Sequence, residues 1–232
     1  QHQPIHINIH LDRTEEAKSM DLNKSREFFD PSNVKGTCHI IGCGSIGSHV
    51  ANLLGRYGIK KIKLYDFDVV ESHNLANQNF NNEQLGQLKT EAVADNILSF
   101  NEDAEITTYS EGWKKGKRLS DFVFLCVDNI EVRKEIVEDN MMNSNIKAMF
   151  DFRTTLEEGQ NFFANWCIRE ERENLLATMD FTHEEAKAIS PVSACGFTLS
   201  VSPVVINCAI NGVCNFTNFV NGKEVKHLIV SR

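Results

Sequence analysis

Thr37-Cys38-His39-Ile40-Ile41-Gly42-Cys43-Gly44-Ser45-Ile46-Gly47-Ser48-His49-Val50 is the stretch that decides the fold. Cys38 to Ile41 is short and apolar, as a strand buried on both faces must be, and a glycine-rich turn follows at once. Beyond it Ile46, Val50, Leu53, Leu54 and Tyr57 recur at helical spacing until Gly58 supplies a stop. A strand, a Gly-x-Gly-x-x-Gly turn and a helix set nucleotide phosphates on a helix N-terminus. The turn alone does not select the nucleotide. Asp66 ends a second strand, Ile62 to Tyr65, about 20 residues on, where an acidic side chain accepts ribose hydroxyls in NAD and ATP proteins alike. Asp68, Asn74, Gln78 and Lys89 then follow in a polar loop beside the phosphates. A dehydrogenase has no need of that cluster, which points to ATP rather than to NAD.

Outward from this unit the chain alternates. Lys89 to Ile97 reads as a helix, Ile106 to Tyr109 as a third strand, and Phe122 to Val127 as a fully apolar strand at the centre of a sheet. A helix from Ile130 to Asn140 and a strand from Ala148 to Phe152 complete the repeat. The pattern predicts an α/β fold: a Rossmann-like, mostly parallel sheet with helices on both faces. After Arg153 the repeat breaks into a strand from Asn161 to Ile168, a charged stretch from Arg169 to Ala188 and an apolar helical segment from Pro203 to Val220. The charged stretch is expected to be a mobile loop with one short helix, and the apolar helix to be core or interface. Residues 1–33 are expected to form an N-terminal arm. Residues 34–232 would form one domain, with the nucleotide-binding core in 34–152 and a C-terminal portion in 153–232.

Composition narrows the function. The chain has 232 residues, 41% hydrophobic, enough for a real core. A net charge of -8 argues against nucleic acid as a partner, since phosphate backbones call for clustered Lys and Arg. The one basic run, Lys114-Lys115-Gly116-Lys117-Arg118, reads as a solvated loop. No apolar run reaches the ~20 residues of a membrane helix, and Gln1 to Leu11 lacks a signal pattern, so a cytoplasmic protein with no membrane partner is expected. Seven cysteines without a Cys-x-x-Cys pair favour reduced thiols over a disulfide framework or a zinc site. His2, His6 and His10 would line up on a helix, but Ile5, Ile7 and Ile9 alternate as in a strand, which disfavours a metal site.

Asp66-Phe67-Asp68-Val69-Val70-Glu71-x-x-Asn74-Leu75-x-x-Gln78, then Lys89, then Cys126-Val127-Asp128-Asn129 with Arg133, resembles the ThiF/MoeB/HesA family, prokaryotic relatives of ubiquitin-activating enzymes. The resemblance covers roughly residues 34–152. It implies an adenylyltransferase that uses ATP and Mg2+ to activate the C-terminal carboxylate of a ubiquitin-like protein or peptide, commonly as a homodimer. By position, Gly42, Gly44 and Gly47 would let the backbone approach the nucleotide and Asp66 would hold the ribose, with Asp68 a second nucleotide contact or a cap for the loop. Asn74, Gln78 and Lys89 would handle the triphosphate, Lys89 supplying charge, and Asp128 would hold magnesium. Arg133 reads either as a helix-surface charge or as a brace for the Asp128 loop.

The usual arginine before the glutamine is Asn77 here, which removes one cation. Arg26 is the nearest candidate to replace it from a second protomer, the alternative being an ordinary surface arginine. Cys195, in Ser193-Ala194-Cys195-Gly196, stands roughly where relatives place a catalytic or structural cysteine. A helix N-terminus there would lower its pKa, whereas the bland reading is a small buried residue. Cys38, Cys43, Cys126, Cys208 and Cys214 fall in apolar patterns and are expected in the core. Two other functions stay open: a nucleotide-binding scaffold without catalysis, motivated by Asn77, and an NAD-dependent oxidoreductase.

Overall fold

The computed structural model describes residues 5–6, 20–189 and 199–232. In chain order they form β1 (Ile5–His6), β2 (Cys38–Ile41), α1 (Ser45–Arg56), β3 (Lys61–Tyr65), α2 (Lys89–Leu98), β4 (Glu105–Tyr109), β5 (Asp121–Leu125) and α3 (Ile130–Asn140). Then follow β6 (Ile146–Thr154), β7 (Gly159–Asn165), α4 (Arg169–Ala177), α5 (His183–Ile189), α6 (Ser202–Val220) and β8 (Leu228–Ser231). Among the described residues one sheet runs β1-β4-β3-β2-β5-β6-β7-β8. Its centre, β4 to β6, is parallel. The flanking strands β1, β7 and β8 pair antiparallel. β2 and β5 are neighbours, and the connections leaving them diverge, β2 toward β3 and β5 toward β6. That divergence opens a crevice at the C-terminal strand ends, the usual ligand position in an α/β sheet.

Two apolar layers hold helices to the two sheet faces. On one, Val50, Leu54, Val93, Ile97, Val205, Ala209, Val213 and Phe216 bring α1, α2 and α6 onto the strands. Phe216 meets Phe122, Phe124 and Phe150 edge-on at 5.2, 5.3 and 5.7 Å. On the other face, Ile136, Val137 and Leu175 seat α3 and α4 against Val123, Leu125 and Met149. Phe29, near the end of the stretch assigned to the arm, is buried beside Tyr57 and Phe216.

Three parts of the C-terminal third differ from the sequence expectation. The charged stretch is two helices rather than a loop with one. Leu175 gives α4 a buried residue, Glu171 anchors its start by accepting the Asn165 N–H, and Thr182 and Glu185 form a reciprocal capping box for α5. β7 ends at Asn165 because Trp166 turns inward and donates its indole N–H to the Asn140 carbonyl at 2.9 Å. α6 serves as core on one face only: Ile206, Ile210 and Cys214 on the other are exposed, against the expectation of a buried Cys214. His2 and His10 lie outside the described residues, and no described helix is long and apolar enough to cross a membrane.

His39 is fully buried in β2. The Ser120 N–H meets its Nε2 at 3.3 Å, which makes Nε2 the acceptor and leaves Nδ1–H to donate to the Tyr65 hydroxyl at 2.9 Å. Burial, reinforced by the nearby Lys63 charge, lowers its pKa to about 3. The unfolded chain, with histidine near 6.5, therefore binds the extra proton below about pH 6.5, and stability falls as pH drops toward about 3. Chemical denaturation from pH 7 to 4 should show this in the wild type. His39→Gln should remove up to about 1.4 kcal/mol per pH unit from the slope; an unchanged slope would contradict the assignment.

Candidate active site

The glycine turn sits at the C-terminal end of β2, beneath the loop that follows β5. Gly42 has φ +94°, and a Cβ there would stand 2.8 Å from the backbone of Cys126 and Val127. A Cβ on Gly47 would stand 1.8 Å from the Gly42 carbonyl oxygen. Both glycines are required by the protein's own packing. Gly44 is different: a Cβ there would meet nothing within 4 Å, and no side chain caps the first turn of α1. Open space thus faces the positive end of a 12-residue helix, an arrangement that favours an anion.

Asp66 ties this turn to the next loop. One carboxylate oxygen accepts the Cys43 N–H at 2.6 Å and the other the Asp68 N–H at 2.8 Å. Burial raises its pKa, opposed by those two hydrogen bonds. Asp68 carries the link onward, pairing with Lys89 Nζ at 2.8 Å while its carbonyl accepts the Lys89 N–H at 2.9 Å. The Lys89 side chain is 8% exposed and that of Asp68 52%, so the cation is sheltered and its partner open to solvent.

Asn74 is buried, and its side-chain oxygen accepts the Glu71 N–H in a capping box around the 3-10 turn Ser72–Ala76. The buried Gln78 Oε1 has no hydrogen-bond partner among the described residues. Two bonds sew this loop to α1: His49 Nε2 to the Asn77 carbonyl at 3.2 Å, and the Asn79 N–H to Ser48 Oγ at 3.0 Å. His49 had no motif to recommend it. Its only signal was its place directly after Ser48, one residue past the turn's last glycine. Asn77 brings no cation, and Arg26 is exposed on the helical turn around Leu22–Phe29.

Asp128 is exposed in the loop after β5, with no ion pair to a described residue. The loop is fixed on both sides. Cys126 N–H donates to the Ile41 carbonyl at 2.8 Å, and Asn129 caps α3 by accepting the Glu131 and Val132 N–H groups. Arg133 is buried rather than on a helix surface; it donates to the Leu125 carbonyl at 3.1 Å and pairs with Asp151. Asp151, fully buried on β6, also binds Arg153. Sequence reasoning passed over both, though Asp151 and Arg153 at spacing two share a strand face. Burial pushes the Cys43 thiol well up and raises Cys126 too, which leaves little thiolate at either. Cys195 lies outside the described residues.

The chain is similar to known proteins. Ubiquitin-like modifier-activating enzyme 5 of Branchiostoma floridae is 35% identical over 117 residues, 43% of this chain and 29% of that protein. The Drosophila mojavensis protein of the same name is 37% identical over 115 residues, again 29% of its length. The match therefore spans less than a third of these curated relatives. Among solved structures, E. coli MccB with AMPCPP and MccA superposes with a TM-score of 0.62 at 18% identity, covering 84% of this chain and 59% of that one. PaaA gives 0.66 at 15% identity, covering 95% and 74%. At such identities the likeness is one of fold. Residues 33–219, from the strand before the glycine turn almost to the end of α6, match the ThiF family, and the chain belongs to it.

Proposed function

We propose that the chain is an ATP-dependent adenylyltransferase that activates the C-terminal carboxylate of a ubiquitin-like protein or peptide, giving an acyl-adenylate and pyrophosphate. The observation that carries this reading is that the segments leaving the C-terminal ends of the neighbouring strands β3, β2 and β5 carry the sheltered Lys89 amine, an open α1 N-terminus at Gly44 and the exposed Asp128. Relatives named for modifier activation, and MccB solved with AMPCPP and the peptide MccA, support the same direction.

In this reading Gly42, Gly44 and Gly47 admit the phosphates and Asp66, which keeps lone pairs beyond its two backbone bonds, takes the ribose. Asn74, Gln78 and Lys89 orient the triphosphate, and the unpartnered Gln78 oxygen gains a neighbour there. A carboxylate oxygen of the partner attacks the α-phosphorus, the bond from that phosphorus to the bridging oxygen breaks, and pyrophosphate leaves with the electron pair. Lys89 lowers the barrier by meeting the charge that gathers on the phosphoryl oxygens.

Asp128 would hold magnesium, which neutralises phosphate charge when bound. A single exposed carboxylate suits an ion that takes one or two carboxylates and completes its shell with phosphate and water. The reading includes a cytoplasmic homodimer, in which the exposed Ile206 and Ile210 of α6 offer an interface and a second copy supplies the cation that Asn77 lacks. Transfer onto a thiol is assigned to Cys195 by the family resemblance at that position; among the described residues Cys167 and Cys214 are also exposed, while Cys43 and Cys126 are buried.

Pyrophosphate exchange with small proteins or peptides bearing a free C-terminus tests the activity. Asp128→Ala should cut exchange at least about 100-fold with an unchanged melting temperature, because the side chain supports no packing; normal exchange would sink the assignment. Gly44→Ala should keep the fold yet raise the ATP KM about tenfold or more, about 1.4 kcal/mol. By contrast Gly47→Ala should lose at least about 2 kcal/mol of stability. Equal stability losses at both glycines would show that Gly44 serves packing, not a ligand.

A further inference from the structure

Arg153 belongs to no motif, yet its guanidinium reaches in three directions. Nε and Nη2 hold one Asp151 oxygen at 2.8 and 2.7 Å. Nη1 donates to the Thr178 carbonyl at 2.9 Å and Nη2 to the Thr178 hydroxyl at 2.8 Å. Its face lies 4.3 Å from the centre of the Phe162 ring and 6.0 Å from that of Phe181. Thr178 closes α4 and Phe181 begins the turn into α5, so one side chain gathers the end of one helix and the approach to the next. Phe162 and Thr178 also line a cleft of about 450 Å³ between α4 and β7.

The other Asp151 oxygen takes Arg133, which grips the Leu125 carbonyl three residues before Asp128. A fully buried carboxylate thus joins two guanidiniums, and each group would be left uncompensated without the others. The planar fork of arginine fixes the geometry at each joint, which a lysine's single ammonium does not.

We propose that Arg153 is a positioning residue of the active site: through Asp151 and Arg133 it fastens the α4–α5 segment to the Asp128 loop, so that nucleotide occupancy at the loop and order in the segment stabilise each other. The proposal rests on the adenylation reading. Linkage makes the effect reciprocal, and ordinary coupling of this kind amounts to about fivefold or more. Nucleotide binding then prepares the segment and the cleft beneath it for the carboxylate partner.

Amide hydrogen exchange of the full chain, with and without magnesium and a non-hydrolysable ATP analogue, tests the proposal. In the wild type the nucleotide should slow exchange at residues 42–47 and, by about fivefold or more, at residues 169–182. Arg153→Lys keeps a positive charge for Asp151 but cannot also hold both oxygens of Thr178. It should retain protection at 42–47 and lose it at 169–182. Thr178→Val, which removes one acceptor and leaves the buried triad intact, should shift protection the same way by less, and it carries the test should Arg153→Lys fail to fold. Undiminished protection at 169–182 in both variants, or wild-type protection confined to 42–47, would overturn the relay while leaving adenylation standing. No protection at 42–47 in the wild type would overturn both.

Discussion

One carboxylate organises the site. Asp66 receives an N–H from the glycine turn and another from the start of the polar loop, so the two segments that face a nucleotide are fixed to each other rather than only to the sheet. Hydrogen bonds to a charged acceptor are stronger than neutral ones, and this acceptor is largely shielded from water. From Asp66 the chain of contacts passes to Asp68 and then to Lys89, which places the cation. The parallel strand ends supply the platform, and Asp66 aligns what stands on it.

Charge is stored unevenly around this platform. Lys89 is sheltered while its partner Asp68 is half open to water, and such a partly exposed pair contributes little stability, on the order of 1 kcal/mol or less. In the proposed reading an incoming phosphate recruits the amine at small cost. The Arg133, Asp151 and Arg153 group is the opposite case, with Arg133 and Asp151 buried and Arg153 mostly covered, and is expensive to disturb, which suits a frame rather than a contact. On that same reading the first group yields its cation to phosphate, while the second holds the Leu125 carbonyl, three residues before Asp128.

The sequence was most legible where one pattern served both fold and site. The apolar run of β2, the positive-φ glycine and the helical spacing of α1 are local properties, so the unit around Gly42 could be read directly. Long-range pairings left weaker traces. Arg133 lies eighteen residues before Asp151, and neither shows its partner in its neighbours. β8 is a short edge strand with half its residues exposed, and its alternation is too brief to register. The helices α4 and α5 were obscured by charge, although Thr182-x-x-Glu185 marked the start of the second. Gly44 was legible only as part of a motif. Its distinct status, a glycine the protein's own packing does not demand, lies in the open space around it, which no local pattern encodes.

The central claim is that this platform takes ATP rather than a dinucleotide. Calorimetric titration of the wild-type chain with ATP and magnesium, beside the same titration with NAD, tests it most directly. A saturable one-site isotherm with ATP and no binding heat with NAD is the predicted result. Saturable binding of NAD with none for ATP would contradict the account.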